Sequence, residues 1–193
     1  NDKMKKTALF DYHNSNSNNI ISFSGYALPV FYKSILDEHH AVRKNAGLFD
    51  VSHMGQLVVS GSSAEKFIQS VTTNDVSKIS TGQAQYSAIC NNDGCIIDDI
   101  ITYKLHTGFM LVVNASGIDK KYNWLKSKQF DGVSIDNKSS DFSMIALQGP
   151  KSKRIIQSII NNDITKLRFY NFIENIDCLG HNILLSRTGY TGE

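Results

Sequence analysis

The pattern of apolar and polar residues between positions 54 and 136 changes period several times along the chain. Alternating or continuous apolar runs predict strands, whereas recurrence every three to four residues predicts helices. The predicted strands cover 54–60, 84–90, 95–104, 109–114 and 132–136, and the predicted helices cover 63–71 and 117–127. The order β-α-β-β-β-α-β is the ferredoxin-like order with one extra strand, so we expect an α+β unit with a mostly antiparallel sheet.

Local signals mark the boundaries of these elements. The stretch Asn91-Asn92-Asp93-Gly94 separates the second and third predicted strands and has the residue types of a hairpin turn. Ser116, with Asp119 three residues later, is expected to cap the second helix.

The residues before this unit follow a different pattern. A helix is predicted over 35–46, with Ser34 as its cap and Gly47 as its stop. The Asn- and Ser-rich stretch 13–19 is interpreted as a surface loop.

The residues after the unit predict further elements. These are strands near 143–148, 167–173 and 182–187 and a helix over 150–160 that begins at Pro150. These elements do not include enough strands to pair with one another in a complete sheet. We therefore expect residues 1–53 and 137–193 to form one discontinuous domain, into which 54–136 is inserted. The predicted fold class is α+β, with antiparallel sheets and flanking helices.

Charge and composition argue against nucleic-acid and membrane partners. The chain has 193 residues, with 20 Lys and Arg against 18 Asp and Glu and a net charge of +2. Proteins that bind nucleic acid or an acidic membrane usually carry a larger basic excess, so neither partner is expected. The three cysteines lack CxxC spacing, and no apolar run approaches the roughly 18 residues of a membrane span. We therefore expect no metal site and no membrane association.

Asp98 and Asp99 lie side by side in the apolar run 96–101. Neighbouring strand residues point to opposite faces, so at least one of these carboxylates is expected to face the interior or a cleft. A buried carboxylate is costly unless it is hydrogen-bonded or paired. Such a residue is either satisfied within the structure or retained for function, and the sequence leaves both readings open.

Aromatic residues and one histidine complete the candidates. Tyr86 lies on the strand that pairs with the Asp98 strand, and it is expected near the register of Asp98 and its neighbours. Tyrosine rings beside a carboxylate, with Tyr170 and Tyr190 further along the chain, would suit a flat heteroaromatic ligand. Ordinary core or surface tyrosines are the alternative. His53 has no partner at metal-ligand spacing and is more simply a structural residue.

Several motifs together resemble the T-protein of the glycine cleavage system, a tetrahydrofolate-dependent aminomethyltransferase. The resemblance runs from about Leu9 to the last residue. Its motifs occupy 37–43, 47–55, 91–99, 112–115, 146–150 and 186–193. The motifs appear in the family's order and at its spacing, so the resemblance is specific.

The resemblance implies a reaction. The family takes an aminomethyl group from the lipoyl arm of the H-protein, releases ammonia and passes the carbon to tetrahydrofolate as 5,10-methylenetetrahydrofolate. The family's essential acid maps to Asp98, near the folate nitrogens, with Asp99 as a structural partner on the other face. A carboxylate there would stabilise the iminium-like centre that forms as ammonia leaves, or orient the attacking amine.

The resemblance also implies which side chains line the folate slot. Besides Asp98 these are Met54, Tyr86, Val113, Asn114, Tyr170 and Tyr190, with Phe169 or Phe172 in place of Tyr170 in a shifted alignment. The family usually has two glycines where this chain has Gly94-Cys95, and a small Cys should change the turn little.

Family members are nearly twice as long as this chain. The resemblance implies that residues completing the first domain, and a C-terminal barrel domain, are missing here. We therefore expect the chain to be a fragment that is inactive alone.

Folate-dependent relatives are the nearest alternatives. They include the sarcosine and dimethylglycine oxidases and a sulfonium-compound demethylase. A folate-binding accessory protein of iron–sulfur assembly, which is a binding module without transferase activity, is an alternative of a different class. A soluble α+β domain with a structural Asp98 is the simplest alternative. The family works in the bacterial cytoplasm or the mitochondrial matrix, and the bacterial location is preferred because no transit peptide is visible.

Overall fold

The computed structural model describes residues 4–189, and it divides into two compact units. Among these residues, the first unit comprises 4–53, Ser143–Thr165 and Gly189, and the second comprises Met54–Phe142 and Lys166–Thr188. The division between residues 53 and 54 coincides with the expected domain boundary. Residues 166–188, which were expected in the discontinuous domain, group here with the second unit. The division into 1–53 plus 137–193 and 54–136 stays a prediction.

A five-stranded antiparallel sheet forms the centre of the second unit, in the order β5-β6-β7-β4-β8. Its strands are β4 (Gly55–Ser60), β5 (Ala84–Cys90), β6 (Ile96–Leu105), β7 (Gly108–Val113) and β8 (Ser134–Asn137). Helices α3 (Ala64–Val71) and α4 (Ile118–Ser127) connect them, with a 3-10 turn at Val76–Lys78. The predicted β-α-β-β-β-α-β order and the hairpin between β5 and β6 are confirmed.

One face of this sheet packs against the two helices and forms the hydrophobic core. Leu57, Leu111 and Ile135 of the sheet, Phe67 and Ile68 of α3 and Leu125 of α4 are completely buried. Burying each of these large side chains stabilises the fold by about 1.5–3 kcal/mol. Because the helix residues that face this core recur with the helical period, the apolar pattern of the sequence predicts both helices.

The second unit also contains the hairpin of β10 (Phe172–Cys178) and β11 (His181–Ser186). The chain just before β10 runs along the edge of β5, where the backbone N–H of Ala84 donates to the carbonyl of Tyr170 at 2.8 Å and that of Phe172 to Gly82 at 2.9 Å. The ring centroids of Phe172 and Tyr103 lie 5.2 Å apart. These contacts explain why residues 166–188 belong to the second unit.

The first unit is built from short elements. They are α1 (Phe10–Asn16), β1 (Ile20–Phe23), β2 (Tyr26–Pro29), α2 (Ile35–Lys44), β3 (Gly47–Asp50), β9 (Ile145–Gln148) and α5 (Ser152–Gln157). β1 pairs with β2, and β3 pairs with β9, both antiparallel. The fold is therefore α+β, with antiparallel sheets and flanking helices, as predicted.

Several local predictions were wrong. The stretch 13–19 is not simply a surface loop, because its first four residues complete α1 and His13 is buried. Gly47 does not serve as a helix stop: α2 ends at Lys44 and Gly47 begins β3. The cap of α4 is Gly117 in the left-handed conformation instead of Ser116. The cap of α2 is confirmed, since Ser34 Oγ accepts the N–H of Asp37 at 3.3 Å.

In the described part of the chain, no helix combines the length and apolar character needed to cross a membrane.

Candidate functional site

Asp98 and Asp99 lie on opposite faces of β6, as adjacent strand residues do. Asp98 pairs with Ile89 and shares the helix-packed face with Ile100, and its side chain is 10% exposed. Asp99 pairs with Ala88 on the other face and is exposed. The interior carboxylate that the sequence predicts is therefore Asp98.

Hydrogen bonds satisfy both oxygens of the Asp98 carboxylate. Its Oδ2 accepts the backbone N–H of Asn114 at 3.0 Å and pairs with Lys121 Nζ at 2.7 Å. Its Oδ1 accepts the Asn114 side-chain amide at 2.9 Å. Lys121 Nζ also donates to the Asn114 carbonyl at 2.7 Å. A buried carboxylate with a cation and two N–H donors is compensated for the loss of water.

Asp99 belongs to a different environment on the second face of the sheet. Its Oδ1 accepts the Asn114 side-chain amide at 2.8 Å, and its Oδ2 accepts the hydroxyl of Tyr86 at 3.2 Å. Tyr86 pairs with Ile101, two residues beyond Asp99, so the two side chains are diagonal neighbours on one face. This hydrogen bond, and then the negative charge of Asp99, raises the pKa of Tyr86. Tyr86, expected near the register of Asp98, therefore contacts Asp99.

Asn114 links the two carboxylates because of its place in the chain. β7 ends at Val113, which pairs with Ile100, so Asn114 lies just beyond the strand and beside Asp99 and Asp98. Its side-chain nitrogen lies within hydrogen-bond distance of Oδ1 of both aspartates. The alternation of strand side chains predicts two diverging acids, but it does not predict this shared partner.

Lys121 is a functional candidate that the sequence reading missed. It lies on α4 and is 5% exposed. A signal was present, since Ile118, Lys121 and Leu125 follow the helical spacing of an apolar stripe. A lysine within such a stripe requires an anionic partner, and Asp98 provides it.

Two further predicted lining residues have different surroundings. Val113 is completely buried in the core on the helix-packed face, so its side chain does not reach the face that carries Tyr86. Met54 is 7% exposed and immediately precedes β4, where its carbonyl accepts the Gln56 side-chain amide at 3.0 Å.

Tyr170 lies next to Tyr86 along the edge of β5. Its carbonyl accepts the N–H of Ala84, two residues before Tyr86, and its backbone has a positive φ of 59°. Its ring packs edge-on against Phe169 with centroids 4.7 Å apart. Tyr170 also contributes, after Asp99 and burial, to the raised pKa of Tyr86. Tyr190 lies outside the described residues.

The first unit contains a second buried carboxylate, Asp50. Its Oδ2 lies 2.8 Å from His13 Nε2, and His13 Nδ1 lies 2.6 Å from the hydroxyl of Tyr32. Burial favours a higher pKa for Asp50, but hydrogen bonds, including those from Ser52 and His13, outweigh burial and leave the pKa lowered.

His53 shows no metal or catalytic partnership among residues 4–189. Its ring packs edge-on against Phe23 at a centroid distance of 5.4 Å, and its Nδ1 is buried without a hydrogen-bond partner in that range. Burial lowers its pKa. No cluster of three or more His, Cys, Asp or Glu side chains suited to a metal ion occurs within the same residues.

Comparison with known proteins identifies the family. A sequence model described as the GCVT N-terminal domain matches residues 9–193. The chain belongs to this family. The match confirms the resemblance to the T-protein family that the motifs indicate.

Curated relatives agree with the family match. An aminomethyltransferase of Lysinibacillus sphaericus is 47% identical over 193 residues, which cover 99% of this chain and 53% of that protein. An aminomethyltransferase of Halalkalibacterium halodurans is 45% identical over 99% of this chain and 53% of its own length. The chain therefore spans about half the length of the curated relatives it matches.

Solved structures support the same fold. The glycine cleavage system aminomethyltransferase T of Bartonella henselae matches with a TM-score of 0.88 and 28% identity, over 98% of this chain and 52% of that one. A heterotetrameric sarcosine oxidase of Corynebacterium matches with a TM-score of 0.56 at 14% identity, over 80% of this chain and 77% of that one. The second likeness concerns the fold alone.

Proposed function

We propose that the complete protein containing this chain is a tetrahydrofolate-dependent aminomethyltransferase of the glycine cleavage system. It would take the aminomethyl group from the lipoyl arm of the H-protein and give 5,10-methylenetetrahydrofolate and ammonia. The identity of 45–47% to relatives named aminomethyltransferase supports this reaction class. These relatives are bacterial, which supports the bacterial cytoplasm as the proposed compartment.

The proposal depends on one observation: the exposed residues Asp99 and Tyr86 lie together on one face of the sheet, with the half-buried Tyr170 beside them at the edge of β5. Tyr86 is 55% exposed, so its ring can stack against a flat heteroaromatic ring. The Asp99 carboxylate, within hydrogen-bond distance of the Tyr86 hydroxyl, can accept an N–H of the same ligand. Tetrahydrofolate supplies both features and provides the amines that receive the one-carbon unit.

The geometry favours Asp99 as the carboxylate that contacts the ligand. The resemblance gave this role to Asp98, but the Asp98 side chain is 10% exposed and paired with Lys121. Asp99 is exposed beside Tyr86. We therefore propose that Asp99 holds or receives a proton at the reacting amine and stabilises positive charge there. Asp98 would act through Asn114, which contacts both carboxylates.

The proposed chemistry of the chain's own residues is limited to binding, orientation and charge. Tyr86 and Tyr170 would bind the acceptor, and the Tyr86 hydroxyl would fix the orientation of Asp99. Met54 and Asn114 remain proposed folate contacts. For Val113 a contact through the backbone is the one compatible with its buried side chain.

The reaction can be tested with the complete protein, tetrahydrofolate and aminomethylated H-protein. We expect ammonia release that depends on both substrates. Asp99→Asn should lower turnover roughly 10²–10⁴-fold, the usual contribution of an acid–base group, while tetrahydrofolate still binds. Wild-type turnover in Asp99→Asn would remove Asp99 from the reaction. Folate binding without any transfer from the H-protein in the wild type would favour the accessory-protein alternative.

Folate stacking has a separate test. Tyr86→Ala should weaken tetrahydrofolate binding roughly tenfold, because one aromatic surface is lost. Tyr12→Ala is a suitable control, since Tyr12 is another exposed tyrosine, 61% exposed, in the first unit. Equal affinities of the two variants would contradict the proposed binding face.

A further inference from the structure

Lys121 is held where a lysine is costly. It is 5% exposed on α4, and its Nζ lies 2.7 Å from Asp98 Oδ2 and 2.7 Å from the Asn114 carbonyl oxygen. Removing an ammonium group and a carboxylate from water is expensive, and a packed apolar pair in their place is often as stable or more so. Stability alone therefore gives a weak reason for this pair.

The pair controls Asn114 from both sides of its backbone. The N–H of Asn114 donates to Asp98 and its carbonyl accepts from Lys121, so both peptide groups next to the Asn114 side chain are tied to the buried pair. The side-chain nitrogen then bridges Oδ1 of Asp98 at 2.9 Å and Oδ1 of Asp99 at 2.8 Å. The position of this amide depends on the groups that hold Asn114.

A continuous set of hydrogen bonds thus runs from α4 to the exposed face of the sheet. It begins at Lys121, passes through Asp98 and Asn114, and ends at Asp99, which also accepts the hydroxyl of Tyr86. Exposure rises from 5% at Lys121 to 55% at Tyr86. The buried end can therefore set the geometry of the end that a ligand can reach.

We propose that Lys121 is a positioning residue for the aminomethyl transfer proposed above. By fixing Asn114 and Asp98, it holds the Asn114 amide against Asp99 and so fixes the direction of the Asp99 carboxylate. Lys121 lies on the opposite face of the sheet from Tyr86 and acts through Asn114. The effect of Lys121 on turnover rests on the proposed function, whereas its effect on the position of the Asn114 amide does not.

The kinetic test uses the complete protein and three variants. Lys121→Met removes the charge and the donor, Lys121→Gln keeps a neutral donor, and Lys120→Met changes an exposed lysine of the same helix. We expect kcat to be highest in the wild type, lower in Lys121→Gln and lowest in Lys121→Met. The kcat of Lys121→Met should fall roughly 10–100-fold, as expected for a misplaced catalytic group. KM for tetrahydrofolate should stay within about threefold, because a positioning defect acts on the reacting state. Lys120→Met should match the wild type.

The outcomes that would overturn the proposal are distinct. A folded Lys121→Met with the kcat of Lys120→Met would contradict it, and so would a rise in KM that accounts for the whole loss. If Lys121→Met does not fold, Lys121→Gln decides: reduced kcat at unchanged KM supports the proposal, and wild-type kcat overturns it.

A spectroscopic readout separates this inference from the proposed reaction. With selectively labelled asparagine, the side-chain amide resonances of Asn114 should shift in Lys121→Gln and remain in place in Lys120→Met. Unchanged Asn114 resonances in Lys121→Gln would overturn the positioning role, whether or not the wild type transfers an aminomethyl group. Absence of transfer in the wild type, with the expected Asn114 shift, would contradict the proposed function alone.

Discussion

Within residues 4–189, both units contain a carboxylate that is buried against a basic side chain, but the two hydrogen-bond networks end differently. In the first unit, Asp50 is 3% exposed and pairs with His13, whose other ring nitrogen bonds the hydroxyl of Tyr32. In the second, Asp98 pairs with Lys121, and the network continues through Asn114 to Asp99. The first network ends at the hydroxyl of Tyr32, a residue that is 39% exposed but carries no charge. The second ends at the exposed carboxylate of Asp99, a charged group that can accept further N–H donors besides Asn114 and Tyr86.

The difference shows that burial of an acid is a poor sign of function by itself. Asp50 is more buried than Asp98, yet its hydrogen bond with His13 only joins β3 to α1, and His13 in turn contacts Tyr32. The hydrogen bonds of Asp98 support a second acid that a ligand can reach. The exposed end of a network, rather than its buried centre, indicates where a ligand would bind.

The largest stability effect is expected in the first network. His13→Ala leaves the Asp50 charge buried without its histidine partner, which should lower the free energy of unfolding by about 3–5 kcal/mol. Urea unfolding of the complete protein measures it. His39→Ala, at an exposed position of α2, is the matched control and should change little. Equal midpoints for the two variants would mean that the His13–Asp50 pair does not hold the first unit together.

A smaller stability effect is expected in the second network. Lys121→Met should cost about 1–3 kcal/mol, because methionine retains most of the lysine volume in the apolar stripe of α4, whereas His13→Ala also leaves a cavity. The backbone N–H of Asn114 still donates to Asp98 in this variant of Lys121. The same urea experiment compares it with His13→Ala. A larger loss for Lys121→Met than for His13→Ala would reverse the comparison between the two networks.

Acid should affect the first unit through His53 and Asp50. Burial lowers the pKa of His53 from 6.5, so the folded state resists the proton that the unfolded state binds. His53 therefore leaves the free energy of unfolding unchanged above pH 6.5. The free energy of unfolding falls as the pH drops from 6.5 towards the pKa of His53 in the folded state. Asp50, with its pKa lowered from 3.8, adds stability that is lost as the pH falls from 3.8 through its folded pKa.

Unfolding titrations across this range test both assignments. His53→Phe should remove the loss that begins near 6.5 and leave the loss at lower pH unchanged. A wild-type protein whose stability rises as the pH falls below 6.5 would contradict the direction assigned to His53.

The smallest effect concerns the exposed end of the second network. Tyr86→Phe removes the hydrogen bond to Asp99 at the protein surface, where such bonds contribute little to stability. We expect an unchanged Tm and a modest fall in turnover, since the ring remains and only the orientation of Asp99 relaxes. A clear drop in Tm would show that this end is structural.

Sequence periodicity predicted residues 54–136 of the second unit well, for a physical reason, but it placed β10 (Phe172–Cys178) about five residues too early, near 167–173. The strands and helices of 54–136 share one large core, so the residues that face it, such as Leu57, Phe67 and Leu111, recur at the strand or helix period. The first unit was predicted less well. β1 shows no alternation, with Ile21 48% exposed, and the burial of His13 depends on Asp50, 37 residues away.

The candidate site was predictable only in part. The pair Asp98–Asp99 stood out as charge inside an apolar strand, and alternation required one of the two to be interior. Which one is interior depends on the register with β5 and β7 and on Lys121, which lies 23 positions after Asp98 in the chain. The side-chain direction of Val113, set by the same register, was likewise not evident from its motif.

The central claim is that Asp99, with Asp98 behind it, meets the one-carbon acceptor. The most direct measurement is the rate of ammonia release from aminomethylated H-protein at saturating tetrahydrofolate, for Asp99→Asn and Asp98→Asn at equal amounts of folded protein. We predict that both variants are slower than the wild type and that Asp99→Asn is the slower of the two. A slower Asp98→Asn, with Asp99→Asn near the wild-type rate, would contradict the account.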